Sequence, residues 1–279
     1  MVFHSVIRHT PALEENMPRR KTIIDCDPGQ DDAVMLLLAM ASPAELDILG
    51  ITTVAGNVPL DLTQRNARLM CELAGREDVP VYAGSGAPLV RELITAENVH
   101  GSTGIDGADI HAPSIPLQDG HAVDFITETL LNAEPGSITL VPTGPLTNIG
   151  RAISRTPEIL AGIREIVMMG GAMREGGNTS PSAEFNILVD PHAAEIVMRC
   201  GRPLTIAPLD VTHQVVVTQA CLEALRGNRS KAIDWLRQSV EAGYANADWM
   251  AKDSDLQSLH SDPEFEAIVG EAKKQANEE

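Results

Sequence analysis

The stretch Asp25-Cys26-Asp27-Pro28-Gly29-Gln30-Asp31-Asp32 places four carboxylates within eight residues. The apolar, β-rich run Thr22–Cys26 predicts a strand before it, and the pattern from Asp31 to Met40 predicts a helix after it. Four like charges at one turn are unfavourable unless something positive compensates them. The helix N-terminus supplies part of that compensation, and a divalent cation would supply the rest. Because the cluster offers oxygen ligands without a Cys or His pattern, it favours calcium or magnesium over zinc.

The rest of the chain alternates apolar strand-like runs with helical patterns. The further runs expected as strands are Leu46–Val54, Val79–Tyr82, Ser137–Val141, Ile163–Met168 and Pro203–Ala207, and Leu60–Leu73 is expected as a helix. This order predicts an α/β fold with a mostly parallel sheet and helices on both faces. We expect a flexible N-terminal extension over residues 1–20, an α/β domain over 21–226 and a helical C-terminal segment over 227–279. Ligands of such sheets bind beyond the carboxyl ends of the strands.

Composition and charge exclude several classes of function. The net charge of −18 argues against nucleic acid, because Lys and Arg supply most of the affinity for its phosphates. The four cysteines are widely spaced, which favours reduced thiols in the cytoplasm over disulfides or a zinc site. No run reaches the roughly 18 apolar residues of a membrane span, and we expect no secretory signal. A small-molecule or cation partner is expected, without nucleic acid or membrane.

The acidic stretch, completed by Ala33, resembles the DxDPGxDDA signature of the inosine–uridine preferring nucleoside hydrolase family, whose members depend on calcium. Other segments resemble the family in the same order, and the likeness covers roughly residues 20–225. These segments are Gly56-Asn57-Val58, Leu140–Asn148, Met168–Ala172, and Asn178 with Glu184-Phe185-Asn186. The resemblance implies a nucleoside hydrolase-like fold and cleavage of ribonucleosides to ribose and free nucleobase.

The resemblance also implies roles for single residues. Asp27 would bind Ca²⁺ and act as general base toward a calcium-bound water. Asp32 and the Thr143 carbonyl would complete this part of the metal site, Asp31 would accept hydrogen bonds from ribose, and Asp25 would support the site. The residues implied to contact the substrate are Asn57, Met169, Asn178, Glu184 and Asn186, with His100 near the pocket mouth and available to the departing base. A homodimer or homotetramer is implied as well.

Each position also has a plainer interpretation, which the sequence alone leaves open. Asp31 and Asp32 could cap a helix while Asp25 and Asp27 are solvated loop acids. The asparagines could be turn residues, and His100 a polar surface residue. Glu184 and Asn186 flank Phe185, so an alternating pattern could place both of them on a solvated face. Two long Gly-rich segments, 91–120 and 170–186, are expected to be functional loops.

The C-terminus departs from the family pattern. Family members carry an LHDP motif whose Asp completes calcium coordination, whereas Ser258–Pro263 reads SLHSDP, with Ser261 between His260 and Asp262. The segment 247–265 also resembles the closing helices of tetratricopeptide-type repeat proteins. We therefore expect a divergent C-terminus in which His260 is a surface residue and activity is weakened.

Two other functions remain open at this stage. One is a catalytically impaired, truncated hydrolase that acts as a calcium-binding, ribose-binding or interaction protein. The other is a phosphoryl-transfer enzyme of the haloacid-dehalogenase type, in which a DxD after a strand serves as nucleophile and acid. That type expects Thr or Val soon after the second Asp, where this chain has Pro28-Gly29.

Overall fold

The computed structural model describes residues 18–107, 110–215, 219–242 and 246–276. Residues 1–17 of the expected N-terminal extension lie outside these ranges. The chain divides into two compact units, Met1–Thr212 and His213–Glu279. This division comes earlier in the chain than position 227, where we expected the helical segment to start. In the described part of the chain, no helix is both long and apolar enough to span a membrane.

The first unit is built on a parallel sheet, as predicted. Its strands are β1 (Arg20–Cys26), β2 (Leu46–Thr53), β3 (Val81–Ala83), β4 (Ile138–Pro142), β5 (Ile163–Met169) and β6 (Leu204–Ala207). They are arranged in the order β3-β2-β1-β4-β5-β6, and each neighbouring pair is parallel. All six strands were predicted, each within about two residues at either end. The α/β fold class is therefore confirmed.

Helices connect and cover the strands. In the first unit they are α1 (Gln30–Met40), α2 (Leu60–Ala74), α3 (Glu97–His100), α4 (Ala122–Leu131), α5 (Thr147–Arg155), α6 (Phe185–Val189), α7 (Pro191–Met198) and α8 (Leu209–Thr212), with a 3-10 helix at Pro157–Ala161. A parallel sheet needs such crossover helices, because a tight turn cannot join parallel strands.

The sheet is buried on both faces. Ile23 and Ile24 are adjacent in β1, so their side chains point to opposite sides. Ile23 packs in a cluster with α4, α5 and α7, which includes Ile126 and Ile149. Ile24 packs in another with α1 and α2, which includes Leu36. This double burial explains why the strands read as continuous apolar runs rather than as alternating ones.

The second unit is helical over its described residues. It contains α9 (Gln219–Leu225), α10 (Arg229–Glu241), α11 (Ala247–Met250), a 3-10 helix at Ser254–Leu259 and α12 (Pro263–Gln275). It has its own buried cluster, which includes Ile233, Leu236, Met250, Phe265 and Ile268. The predicted helical C-terminal tail is thus confirmed.

Candidate active site

The acidic stretch lies where the sheet changes direction. Along the chain, strands β1 to β3 are added toward one edge and β4 to β6 toward the other, so β1 and β4 are neighbours whose following loops diverge. In doubly wound sheets this divergence opens a crevice beyond the carboxyl ends of those two strands. Asp25 is paired in register with Thr52 of β2 and Pro142 of β4. The loops that follow these three strands therefore start at one level of the sheet.

Asp25 is buried at the end of β1 and held by two side chains. Its Oδ1 accepts hydrogen bonds from Thr52 Oγ1 at 2.5 Å and from Asn148 Nδ2 at 2.8 Å. Its Oδ2 is buried without a hydrogen-bond partner. Burial raises the pKa of Asp25 to about 6, and the two hydrogen bonds partly oppose that rise. Asp25 is therefore a fixed internal support, and the alternative of a solvated loop acid is wrong.

Asp27 is also buried, at 1% exposure, and only one of its carboxylate oxygens is occupied. Asn57 N donates to Oδ2 at 2.7 Å, while Oδ1 is buried without a partner. The carboxylate lies between Gly56 and Gly144, where a Cβ on either residue would clash with one of its oxygens. Burial, followed by the charge of Asp32, raises the pKa of Asp27 well above its usual range. Oδ1 is therefore free to take a proton or a ligand.

The two acids of the first helical turn differ in burial. Asp31 is exposed, whereas Asp32 is 5% exposed and its Oδ2 accepts from Asp27 N at 3.2 Å. Asp32 thereby ties α1 back to the turn that precedes it. Burial, followed by the charge of Asp31, raises the pKa of Asp32 to about 7. Neither side chain caps α1, since its N-cap is Gly29 without a side-chain hydrogen bond.

These residues have the chemistry of a hard-cation site. Asp25, Asp27 and Asp32 are buried together, and no cationic side chain is among the causes that shift their pKa values. In the described ranges, however, no group of three or more His, Cys, Asp or Glu side chains is arranged to hold a metal ion. A cation at this turn would therefore need other oxygen ligands, for which a backbone carbonyl is suited. The free Oδ1 of Asp27 is one carboxylate oxygen that such a cation could use beside them.

Thr143 directly follows β4, and its backbone joins it to the same site. Its N–H donates to the Asp25 carbonyl at 2.9 Å. Its own carbonyl accepts from Asn186 Nδ2 at 2.9 Å, and the same amide lies 3.3 Å from Met169 Sδ. Asn186 is therefore placed between the ends of β4 and β5. Its 6% exposure excludes the solvated face that the sequence left open.

Glu184 is the N-cap of α6, and Asn178 bonds to the first residue of the same helix. The Glu184 carboxylate, 2% exposed, accepts from the N–H groups of Asn186 at 2.9 Å and Ile187 at 3.2 Å, and from Gly171 N at 2.9 Å. It therefore fixes the loop after β5 against α6. Asn178 is exposed, and its Oδ1 accepts from Phe185 N at 2.9 Å. Both side chains keep unused hydrogen-bonding capacity.

Asn57 and His100 bring the loops after β2 and β3 to the acidic turn. Besides its backbone bond to Asp27, Asn57 donates through Nδ2 to the Asp27 carbonyl at 3.0 Å. His100 Nδ1 lies 2.7 Å from Gln30 Oε1, and Gln30 Nε2 donates to the His100 carbonyl at 3.1 Å. His100 is close enough to Gly29 that a Cβ there would clash with its ring. The histidine thus lies directly beside the turn.

Sequence reasoning missed several buried polar residues that support the site. Asn148 is fully buried and, besides its bond to Asp25, donates to the Thr53 carbonyl at 3.0 Å and accepts from Ser85 N at 2.8 Å. Asp210, which is only partly buried, was missed as well, and it accepts from three consecutive N–H groups, at Met173, Arg174 and Glu175. The remaining ones are Thr52, Asn66 and Asp190. In the sequence, these residues were marked only as polar positions close to apolar ones, which does not predict a role at the site.

His260 and Asp262 belong to the second unit, where both have local structural contacts. Asp262 is the N-cap of α12, with its Oδ1 accepting from Glu264 N at 2.9 Å, and it forms an ion pair with Arg229. The His260 ring stacks on Phe265 with centroids 5.5 Å apart, and its Nε2 is buried without a partner.

Comparison with known proteins identifies the family and the fold. The family model described as inosine-uridine preferring nucleoside hydrolase matches residues 22–264. The match therefore extends beyond residue 225, where the sequence likeness was expected to end. A plant nucleoside hydrolase structure, the PpNRh1 enzyme, is 33% identical and superimposes with a TM-score of 0.70, covering 90% of this chain and 79% of its own.

Sequence relatives agree as well. An uncharacterised protein of Schizosaccharomyces pombe is 54% identical over 221 residues, which are 78% of this chain and 71% of the relative. The pyrimidine-specific ribonucleoside hydrolase RihA of Photobacterium profundum is 50% identical over 208 residues, 74% of this chain and 66% of the relative. The chain thus spans about two thirds of the length of its relatives that are named hydrolases. The chain belongs to the inosine-uridine preferring nucleoside hydrolase family.

Proposed function

We propose that this chain hydrolyses the N-glycosidic bond of ribonucleosides, giving ribose and the free nucleobase. The observation that carries the proposal is the unpartnered, buried Oδ1 of Asp27 beyond the carboxyl ends of β1 and β4. Family membership supports ribonucleoside hydrolysis in general. The non-catalytic alternative is not favoured, because the named relatives are hydrolases.

Asp27 is the proposed general base. Its Oδ2 is fixed by Asn57 N, so Oδ1 keeps one direction toward an attacking water. A carboxylate is an effective base near neutral pH when its pKa lies above the usual range, and burial shifts Asp27 in that direction. The proton of the water therefore moves to Oδ1 as its oxygen bonds to the anomeric carbon. The bond from that carbon to the base nitrogen breaks, and the nucleobase leaves with the electron pair and takes up a proton from His100 or solvent.

The proposed metal ligands are Asp27, Asp32 and the Thr143 carbonyl, and the proposed metal is calcium. Oxygen ligands of mixed kind, two of them carboxylates, suit that ion. A bound Ca²⁺ would lower the pKa of a coordinated water and so assist its deprotonation. The Asn186 amide orients the Thr143 carbonyl by its hydrogen bond. Asp25 supports the site from behind, through Thr52 and Asn148.

The remaining site residues are proposed to bind the nucleoside. Exposed Asp31 accepts hydrogen bonds from ribose hydroxyls, and the substrate contacts are completed by Asn57, Met169, Asn178, Glu184 and Asn186. These contacts hold the sugar as it gains oxocarbenium character. His100, beside the turn, is placed to assist the departing base. A role in purine or pyrimidine salvage, a cytoplasmic location and a homodimer or homotetramer remain part of the proposal.

The test is ribose release from inosine and from uridine, measured as reducing sugar, with Ca²⁺ and after chelation. We expect calcium-dependent release from the wild-type chain and a loss of about 10³-fold or more in Asp27→Asn, because the general base and a metal ligand are removed together. Asp61→Asn is the matched control, since it removes an exposed carboxylate from α2. If the Asp27→Asn variant released ribose as fast as the wild-type chain, the assignment of Asp27 as the base would be overturned. Folded protein that releases no ribose from a wider nucleoside panel would overturn the function.

A further inference from the structure

The short helix that carries His100 is anchored on its N-terminal side. Ala96, its N-cap residue, donates its N–H to the Asn57 carbonyl at 2.9 Å, and His100 N donates to the Ala96 carbonyl at 3.0 Å. Asn57 is the residue that also fixes the Asp27 carboxylate. The N-terminal side of α3 is therefore tied to the acidic turn through the loop that follows β2.

On the C-terminal side of His100, the anchor is the buried side chain of Asn66. Asn66 lies in α2 with 0% exposure. Its Nδ2 donates both to the Pro28 carbonyl, at 3.0 Å, and to the Thr103 carbonyl, at 2.9 Å. One amide nitrogen thus bridges the acidic turn and the segment immediately after His100.

The orientation of the Asn66 amide is set by its neighbours. Arg65 donates to Asn66 Oδ1 through Nε at 3.2 Å and Nη2 at 3.0 Å, and Nη2 also reaches the Thr103 carbonyl at 3.1 Å. Because guanidinium nitrogens only donate, the atom facing them must be the amide oxygen. The NH₂ group therefore faces the two carbonyls.

The bridged segment is also closed on itself. The Asp106 carboxylate accepts from the N–H groups of Ser102, at 3.2 Å, and Thr103, at 3.0 Å, and from the Thr103 hydroxyl. This closed turn presents the Thr103 carbonyl to Asn66. His100, between the two anchors, is then held against Gln30.

The geometry points to Asn66 as a positioning residue that locks the 101–106 turn onto the Asp27-Pro28 turn and so holds His100 beside the reacting centre. The inference deepens the proposed function and rests on it. The hydrogen bonds of the Asn66 side chain go to Pro28, Thr103 and Arg65, none of which is a proposed metal ligand or substrate contact. Its action passes through Thr103 and Pro28, so it affects chemistry only by fixing where His100 stands.

The sharpest variants are Asn66→Ala, which removes the bridge, and Asn66→Asp, which replaces its NH₂ donor by an oxygen facing two carbonyls. We expect both to increase amide hydrogen exchange at residues 101–106 by about 10-fold or more, because the turn loses its tie. We also expect kcat for nucleoside hydrolysis to fall by roughly 10- to 100-fold, the size of effect that displacement of a catalytic group produces.

A double-mutant cycle with His100→Ala separates positioning from general destabilisation. If Asn66 acts through His100, Asn66→Ala costs little further kcat in the His100→Ala background. If the fold-losses in kcat of the two single variants multiplied in the double variant, Asn66 would have a purely structural role and the inference would be overturned. The gentler variant Arg65→Met removes the donors to Asn66 Oδ1 and Thr103 while keeping an apolar stem, and we expect a smaller change in the same direction.

Thr63→Val is the matched control. Thr63 is fully buried in the same helix, and its hydroxyl donates to the Leu60 carbonyl at 3.1 Å rather than to the turn. We expect unchanged exchange at 101–106 and unchanged kcat. The exchange readout does not require turnover, so an inactive wild-type chain would refute the proposed function and still test the tie. Unchanged exchange in folded Asn66→Ala and Asn66→Asp would overturn the tie itself.

Discussion

At the scale of single residues, the acidic turn depends on positions where a side chain is absent. Asp27 fits between Gly56 and Gly144 because neither carries a Cβ. A close approach of backbone to a functional group is a common reason for glycine. The family signature includes the acids, but these two glycines leave the space that the Asp27 carboxylate, the proposed general base, occupies.

We expect Gly56→Ala to displace Asp27 and to lower kcat/KM for ribose release by about 100-fold. The added methyl group would clash with the Asp27 carboxylate, and overpacking of this kind costs about 1–3 kcal/mol in the free energy of unfolding. Steady-state kinetics and urea denaturation would measure the two effects. Gly86→Ala is the control, because the nearest atom to its added Cβ is Leu60 Cδ2 at 3.8 Å. Equal behaviour of the two variants would contradict this account of the glycine.

Asn148 shows how one buried amide joins three strand ends. Asn148→Ala would leave a buried Asp25 oxygen, the Thr53 carbonyl and the Ser85 N–H with one partner fewer. We expect a loss of about 2–4 kcal/mol in the free energy of unfolding, since buried groups left unsatisfied carry their full desolvation penalty. Urea denaturation measures it. Asn132→Ala, which removes an exposed amide bonded to the Glu128 carbonyl, should change stability by less than about 1 kcal/mol.

At the scale of elements, helix caps differ in cost according to their burial. Asp190 caps α7 through Ala193 N at 3.0 Å and is fully buried. Its other oxygen accepts from Leu89 N and the Thr147 hydroxyl, each at 2.8 Å. It therefore joins α5, α7 and the loop after β3, whereas an ordinary cap serves one helix end.

We expect Asp190→Ala to destabilise the first unit by about 2–4 kcal/mol, because cap and cross-links are lost together. His121→Ala is the comparison within the same unit, since His121 caps α4 through Val123 N at 3.1 Å alone. Its expected cost is about 1 kcal/mol or less. Thermal denaturation followed by far-UV circular dichroism would rank the two. A ranking in the opposite order would show that burial does not set the cost of these caps.

The same contrast explains what the sequence predicts well. The strands are predicted closely, since a strand buried on both faces is a continuous apolar run with β-branched residues. Asp25, Asp27 and Asp32 stand out because four acids at one turn are rare. Asn66 and Asn148 do not stand out in the sequence, because their partners are distant along the chain. Asn66 bonds to Pro28 and Thr103, and Asn148 bonds to Asp25 and Ser85. The folded chain brings those positions together.

At the scale of the whole molecule, the chain has a net charge of −18, and three of its acids are buried at one site. Without a cation, burial raises the pKa of Asp32 from 3.8 to about 7. A raised folded-state pKa contributes stability that is complete below pH 3.8 and is lost as pH rises through about 7. Without a metal, this site therefore lowers the free energy of unfolding increasingly as the pH approaches neutrality.

Calcium should reverse that trend, since it binds deprotonated carboxylates and stabilises the folded state by mass action. We expect the Ca²⁺-induced rise in Tm to be small at pH 5 and several degrees at pH 8, with Ca²⁺ well above its Kd. Differential scanning fluorimetry with Ca²⁺ or chelator measures it at each pH. Asp32→Asn should lose most of the gain at pH 8, because it removes a proposed ligand and the carboxylate that must deprotonate. A gain that is equal at both pH values, or that survives Asp32→Asn, would place the cation elsewhere than at the buried acids.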